Sequence, residues 1–148
     1  MGYSSGEISK CYATGSAIGT QRYKTYVGGL LGHCDTGIIS NSYATGSVTG
    51  NQNVGGLVGH GDDAKAANSY ATGFLTGIGD SYVDGIWGRI TGCYTIDCYY
   101  DSETTGRPYE LVAIGKKTKE MMMESTYKGW DFKETWEINE GLSYPNLR

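Results

Sequence analysis

Two histidines stand at equivalent places in this 148-residue chain, and their side chains are the ones best suited to metal chemistry. His33 follows the run G-L-L-G and His60 follows G-L-V-G, with Asp35, Asp62 and Asp63 close by in the sequence. Imidazole nitrogens together with carboxylate oxygens can hold a transition metal ion. However, the third copy of the run is followed by an arginine, and histidines on loops are commonly solvated. We therefore expect no metal and no other cofactor, and His33 and His60 are the candidate ligands if a metal does bind.

A tyrosine followed one or two residues later by a threonine recurs along the chain, and such pairs could form a binding surface. Side chains at alternate positions of a strand point to the same face. The tyrosines are Tyr12, Tyr43, Tyr70 and Tyr94, and the threonines are Thr14, Thr45, Thr72 and Thr95. On an outward face, these ladders could dock sugars or order water as an ice-binding surface does. The candidate binding residues are then Tyr12, Tyr43, Tyr70, Thr14, Thr45 and Thr72. Otherwise the ladders serve to stabilise the stacking of neighbouring strands.

These recurrences come from an internal repeat. Tyr12 and Tyr43 are 31 residues apart, Tyr43 and Tyr70 are 27 apart, and the valines at 27, 54 and 83 are 27 and 29 apart. A period between about 20 and 50 residues is typical of solenoids and propellers. The copies are rich in Tyr, Thr, Val and Ile and are interrupted by glycine, which favours short strands. A propeller blade needs about 40 residues, so the shorter period favours a solenoid.

The repeat length predicts the fold. One unit is too small to bury a hydrophobic face alone, but stacked units can pair strand on strand at about 4.8 Å. We expect an all-β fold, a short parallel β-helix (β-solenoid) of about three to four coils, with equivalent side chains stacked in columns. One interior column is predicted from Ile8, Ile39, Ala66 and Ile90, and a column of small residues from Cys11, Ser42, Ser69 and Cys93. The rest of the core is predicted from Ile18, Leu30, Leu31, Val48, Leu57, Val58, Leu75, Ile86 and Trp87.

The pattern S-Y-A-T-G-S-V-T-G followed by V-G-G-L-V-G resembles the GLUG motif, named for its Gly-Leu-x-Gly core. That core stands at 29–32 and 56–59, with a degenerate copy, G-I-W-G, at 85–88. The resemblance covers roughly residues 7–100. It implies the repeats of large secreted or surface-attached bacterial proteins, including filamentous-haemagglutinin-like adhesins and the non-catalytic region of IgA-specific metallopeptidases. The resemblance implies a cellular location and an architecture, and it implies no chemical reaction.

The composition changes near residue 100, so we predict GLUG-type solenoid repeats at 1–100 and a C-terminal capping segment at 101–148. The later part holds both prolines and two of the three tryptophans. Thr118 is predicted to cap a short helix over 118–124, with Glu120 in its first turn. The lid over the last coil is predicted from Trp130, Phe132, Trp136, Ile138 and Leu147. The first coil has no evident cap, so we expect it to stack on upstream repeats or on another chain.

Charge and acid placement exclude several function classes. A net charge of -4 and a pI of about 5.1 argue against a nucleic-acid partner. No apolar run approaches the roughly 18 residues of a membrane span, so no membrane insertion is expected. The acids of the repeats are scattered, so we expect no enzyme, and a polysaccharide-active β-helix is the remaining catalytic alternative. The cysteines at 11, 34, 93 and 98 allow three pairings in an oxidising compartment, and free thiols are expected.

The sequence therefore predicts a structural or adhesive repeat module of an extracellular bacterial surface protein or filament, which stacks end to end on copies of itself or on neighbouring repeats. The alternative is a module that binds a cell-surface glycan or a host protein with the tyrosine and threonine ladders. The chain opens without the basic start and apolar run of a signal peptide. That opening agrees with an extracellular location if the chain is a piece of a longer secreted protein.

Overall fold

The structure is a computed structural model that describes residues 1–20, 23, 25–79, 81–110 and 112–148. The chain forms a parallel β-solenoid of about three turns, so the predicted fold class is confirmed. A full coil contributes one strand to each of five parallel sheets. In the described part of the chain, no helix is long and apolar enough to cross a membrane.

The strands follow the repeats. The first coil holds β1 (Tyr3–Ser4), β2 (Glu7–Ser9), β3 (Tyr12–Ala13) and β4 (Ala17–Gly19). The second holds β5 (Tyr26–Gly28), β6 (Leu31–Asp35), β7 (Ile38–Ser40), β8 (Tyr43–Ala44) and β9 (Val48–Gly50). The third holds β10 (Asn53–Gly55), β11 (Val58–Asp62), β12 (Lys65–Ala67), β13 (Tyr70–Ala71) and β14 (Leu75–Gly77). The last holds β15 (Tyr82–Asp84), β16 (Trp87–Thr91), β17 (Tyr94–Ile96) and β18 (Tyr99–Asp101).

The segment after the coils is less regular. It contains β19 (Ile114–Lys116), the helix α1 (Thr118–Met121), a 3₁₀ turn at Glu124–Thr126, β20 (Trp136–Glu137) and β21 (Asn146–Leu147). β19 pairs in parallel with β18, whereas β20 and β21 form an antiparallel pair.

Parallel pairing sets equivalent side chains directly above one another, and this builds the core. Leu31, Val58 and Trp87 are register partners in β6, β11 and β16. Each is at most 1% exposed. Burying a side chain of this kind stabilises the fold by roughly 1.5 to 3 kcal/mol. The repeated hydrophobic positions therefore become a continuous column that runs through the coils.

The corner before each tyrosine strand depends on a left-handed residue. Asn41, Asn68 and Asp97 have φ angles of 46°, 45° and 47°, and Lys10 has 51° in the first coil. Asn and Asp adopt this region more readily than other residues with a side chain. The corner therefore explains why Asn or Asp recurs at this place in the later coils.

The small residue after each corner residue links one coil to the next. The Ser42 hydroxyl donates to the Ser40 carbonyl at 2.7 Å and accepts the backbone N–H of Cys11 at 3.2 Å. The Ser69 hydroxyl accepts the backbone N–H of Ser42 at 3.1 Å. Both serines are fully buried. Leaving such buried groups unpaired costs about 1 to 3 kcal/mol each, so the column of small residues helps to hold the coils in register.

The fourth copy of the repeat lies later in the chain than predicted. Tyr70 pairs with Tyr99, whereas Tyr94 pairs with Lys65. The assignments of Ile90, Cys93, Tyr94 and Thr95 to the repeat columns are therefore wrong. The physical reason is the corner: Asp97 takes the left-handed conformation, so Cys98 and Tyr99 occupy the small and aromatic positions that follow it.

In the first coil, Ala17 takes the core position that was assigned to Ile18. Ala17 pairs with Val48, whereas Ile18 pairs with Thr49 and is 72% exposed. A shift of one residue moves a side chain to the other face of a strand. The other predicted core residues are buried: Leu30, Leu31, Val48, Leu57, Val58, Leu75, Ile86 and Trp87.

Residues 102–110 and 112–113 cover the C-terminal end of the last coil. Val112 and Ala113 pack against the main core there. The Glu110 carboxylate accepts the backbone N–H of Ile86 at 3.0 Å, and Glu110 is only 7% exposed. Burial raises the pKa of Glu110 to about 7. This end of the solenoid is therefore closed by the chain itself.

Helix α1 is shorter than predicted, and its cap lies one residue earlier. Lys117 is the N-cap residue, and α1 ends at Met121. The Glu120 carboxylate accepts the backbone N–H of Lys117 at 2.9 Å. The acidic residue of the first turn is therefore Glu120 as predicted, whereas the capping role of Thr118 is wrong.

Replacing Glu110 with glutamine should remove a pH dependence of folding stability. The pKa of Glu110 is raised from 4.5 to about 7 in the folded chain, so the folded state keeps a proton that the unfolded state releases. The contribution of this group to stability is present below about pH 4.5 and is lost as the pH rises to about 7. We expect the wild-type chain to lose about 2 to 3 kcal/mol over this window, measured by urea unfolding at about pH 5 and pH 8. A loss of folding stability of the same size in E110Q would contradict the assignment of this pH dependence to Glu110.

Candidate functional site

Stacking brings the two histidines together on the outer face of the sheet formed by β1, β6, β11 and β16. His33 and His60 are register partners, as the sequence predicts, and Arg89 takes the same place in the next coil. Leu31 and Cys34 flank His33 in β6 and are fully buried in the core. The strand therefore anchors the histidine from both sides while its ring lies outside the core.

One carboxylate receives both imidazole rings. His33 Nε2 donates to Asp62 Oδ2 at 2.9 Å, and His60 Nε2 donates to the same oxygen at 3.1 Å. The Asn53 amide donates to His60 Nδ1 at 3.3 Å. The His60 tautomer in this arrangement therefore carries its proton on Nε2. The three groups that could act as ligands, on His33, His60 and Asp62, lie within 4.8 Å of one another. This arrangement could hold a metal ion.

Aromatic side chains frame the cluster. Tyr26 stacks on His60 with ring centroids 4.7 Å apart, and it meets His33 edge to face at 5.4 Å. Tyr3 also meets His33 edge to face, with ring centroids 5.3 Å apart. Tyr26 and Asn53 are register partners in β5 and β10, so two adjoining sheets build the site. The ring packing restricts both histidines to the positions in which they reach Asp62.

The charges of the cluster are set by burial and by hydrogen bonding. Burial lowers the pKa of His60, and the hydrogen bond from His33 lowers the pKa of Asp62. At neutral pH, a neutral imidazole therefore lies beside an ionised carboxylate. The Tyr3 hydroxyl donates to Asp35 Oδ2 at 3.1 Å, and this bond raises the pKa of Tyr3.

The sequence identified the two histidines but not the residues that hold their rings in place. Of the three aspartates near them, Asp62 joins the cluster, whereas Asp35 bonds to a tyrosine and Asp63 is an exposed residue with a φ of 45°. Asn53 and Tyr26 were not identified. Each directly precedes a valine of the repeat, so an alignment on those valines would have placed both in one column.

The predicted tyrosine ladder exists on another sheet, formed by β3, β8, β13, β18 and β19. Tyr12 and Tyr43 stack with centroids 5.2 Å apart, and Tyr43 and Tyr70 stack at 5.0 Å. Exposure falls from 61% at Tyr12 to 7% at Tyr43 and 1% at Tyr70. A surface ligand could therefore reach Tyr12, whereas Tyr43 and Tyr70 are covered.

The threonines follow the same gradient. Thr14 is exposed, Thr45 is half-buried and Thr72 is buried. The ladder faces outward from the coils, but the chain itself covers most of it. Within the described part of this ladder, the open tyrosine and threonine are Tyr12 and Thr14 of the first coil.

The cover is the aromatic C-terminal segment, which was predicted to close the last coil and instead lies along the tyrosine ladder. Trp136 contacts the rings of Tyr43 and Tyr70, and Trp130 contacts those of Tyr70 and Tyr99. The Tyr70 hydroxyl donates to the Pro145 carbonyl at 2.7 Å. The physical reason is that residues 102–110 and 112–113 already occupy the coil end, whereas the stacked tyrosines offer a long apolar strip.

The five parallel sheets and the stacked columns of equivalent side chains together define a β-solenoid repeat protein. Two segments match the GLUG motif, residues 24–49 and 50–76, so the chain contains a GLUG-repeat region. These two repeats contribute His33, His60 and Asp62 as well as Tyr43 and Tyr70. The matched region is narrower than the span of roughly 7–100 over which the sequence resembles the motif. No curated protein and no solved structure matches the chain.

Replacing Tyr70 with alanine should destabilise the chain far more than the same change at Tyr12. Tyr70 is 1% exposed between the coils and the C-terminal segment, whereas Tyr12 is 61% exposed at the end of the same ladder. We expect Y70A to cost about 3 to 5 kcal/mol and Y12A at most about 1 kcal/mol. Chemical denaturation of both variants measures the difference. Equal losses would show that the C-terminal segment does not cover the ladder in solution.

Proposed function

We propose that this chain is a non-enzymatic structural repeat module of an extracellular bacterial surface protein, and that its first coil is a stacking surface for a further coil of the same kind. The observation that carries this proposal is the difference between the two ends of the solenoid. Both ends present strand edges among the described residues, but at the last coil residues 102–110 and 112–113 cover the core behind them, whereas the first coil leaves a groove open.

The open end lies at the first coil. Among the described residues, β2, β3 and β4 pair on one side only, with β7, β8 and β9. Behind these edges, Ala13, Ala17 and Val27 line part of a shallow groove. Unpaired strand edges readily accept another strand, and burial of these apolar side chains adds a second driving force. Another coil could continue both the sheets and the core at this end.

The closed end gives the stacking a direction. Thr104 donates its hydroxyl to the Thr72 carbonyl at 2.7 Å, and Arg107 reaches the Val83 carbonyl at 3.5 Å. These contacts, with the Glu110 carboxylate, occupy backbone groups that a further coil would need. An isolated chain is therefore expected to pair through its open end and to stop at two copies, whereas unlimited filament growth needs two open ends.

The GLUG repeats support the extracellular bacterial part of the proposal, because the sequence resembles the repeats of secreted and surface-attached bacterial proteins. The non-enzymatic part of the proposal is supported by the two stacked carboxylates, because each is already hydrogen-bonded to side chains of the same chain. Asp35 is bonded to Tyr3, and Asp62 is bonded to two histidines. The glycan-binding alternative has less support, since its open residues are reduced to Tyr12 and Thr14.

A charge at the open end should prevent association of the isolated chain. Light scattering after size exclusion should show the 16.0 kDa chain moving towards twice its mass as its concentration rises. A17E places a carboxylate at a half-buried position of the open end and should remain a monomer. I114E is the matched control, because it adds the same charge at Ile114, which is 42% exposed and lies in β19, paired with β18 of the last coil and not with the open end. A wild-type monomer at every concentration, or an A17E variant that still associates, contradicts the proposal.

A further inference from the structure

We propose that His33, His60 and Asp62 form a binding site for a divalent transition metal ion of the zinc, nickel and copper class. This goes beyond the structural role proposed above and does not depend on it, because the three ligands lie on the outer face of coils that are already paired.

The distances favour an ion in the middle of the cluster. Both Nε2 atoms lie 2.9 to 3.1 Å from one carboxylate oxygen. Zinc binds such nitrogen and oxygen atoms at about 2.0 to 2.2 Å, so tetrahedral ligands stand about 3.3 Å from one another. Coordination requires the two nitrogens to move a few tenths of an ångström away from Asp62 Oδ2 and all three ligand atoms, which lie within 4.8 Å of one another, to turn towards one ion. Each imidazole then carries its proton on Nδ1 instead of Nε2, and the ion takes the place of the two hydrogen bonds to Asp62.

The site is preorganised by its surroundings. Each ligand comes from a paired strand rather than a loop, and Tyr26 packs against both imidazole rings. Little conformational freedom has to be lost when an ion binds, which favours affinity.

A buried amide oxygen supplies an independent indication. Asn53 is 1% exposed, and its Oδ1 has no hydrogen-bond partner among the described residues, while its Nδ2 faces His60 Nδ1. A histidine that binds a metal through Nε2 carries its proton on Nδ1 and donates it to a carbonyl or carboxylate. Turning over the Asn53 amide would place Oδ1 where it accepts that proton. The unpaired oxygen therefore has a role in the metal-bound form.

The ligand types decide the class of ion. Two imidazole nitrogens and one carboxylate suit zinc, copper or nickel, whereas calcium and magnesium prefer oxygen ligands throughout. The His33 and Asp62 side chains retain 24% and 38% of their exposure. A fourth position on the ion is thus open to water or to a group from another molecule, as in sites with three protein ligands.

Calorimetric titration of the untagged chain with Zn²⁺ tests the site. The half-buried thiols of Cys11 and Cys93 are first replaced by serine, because free thiols also bind zinc. We expect one ion per chain, and D62N or H33Q should weaken binding at least about tenfold. D63N is the matched control, because it removes the same charge at an exposed neighbouring residue and should leave the affinity unchanged.

Nuclear magnetic resonance gives a readout that a change in stability alone would not produce. The chain has only two histidines, so their ring signals can be followed directly. One equivalent of Zn²⁺ should shift the signals of both rings together in the wild-type chain and in D63N. Folding of D62N and H33Q is checked in the same spectra. Absence of binding, or binding of equal strength in folded D62N and H33Q, overturns the proposal.

Discussion

The constraint on which the rest of this structure depends is that each coil must lie in register on the next. Parallel pairing at about 4.8 Å places each side chain over its counterpart. The left-handed corner at Asn41, Asn68 and Asp97, together with the serine hydroxyls that bond to the adjacent coil, holds that register. The hydrophobic column, the stacked tyrosines and the paired histidines all follow from it.

The same register produces two outer faces, one of which is covered by the chain and one of which stays partly accessible. On one face, the stacked tyrosines form an apolar strip, and the C-terminal segment buries it with Trp130 and Trp136. On the other, His33 and His60 meet Asp62 and stay partly accessible to solvent. Repetition therefore produces a scaffold on the first face and a concentrated group of metal-ligating side chains on the second.

The parts of the fold that repeat could be predicted from the sequence, since a period of 27 to 31 residues with glycine-punctuated strands is typical of one coil. The histidine pair followed from the same period. The register of the last coil was missed, although Asp97 and Cys98 match the earlier corners and the valines at 54 and 83 already show the interval of 29. The C-terminal segment has no period, so its placement depends on tertiary packing that sequence spacing does not encode.

The most direct test of the account is the register of the last coil, measured by nuclear Overhauser contacts between backbone protons of neighbouring coils. The account predicts contacts between Tyr70 and Tyr99, and between Ala71 and Tyr100. Contacts from Tyr70 to Tyr94 instead would contradict it. They would place the fourth copy five residues earlier and leave the corner at Asp97, the closing segment and the tyrosine cover without their structural basis.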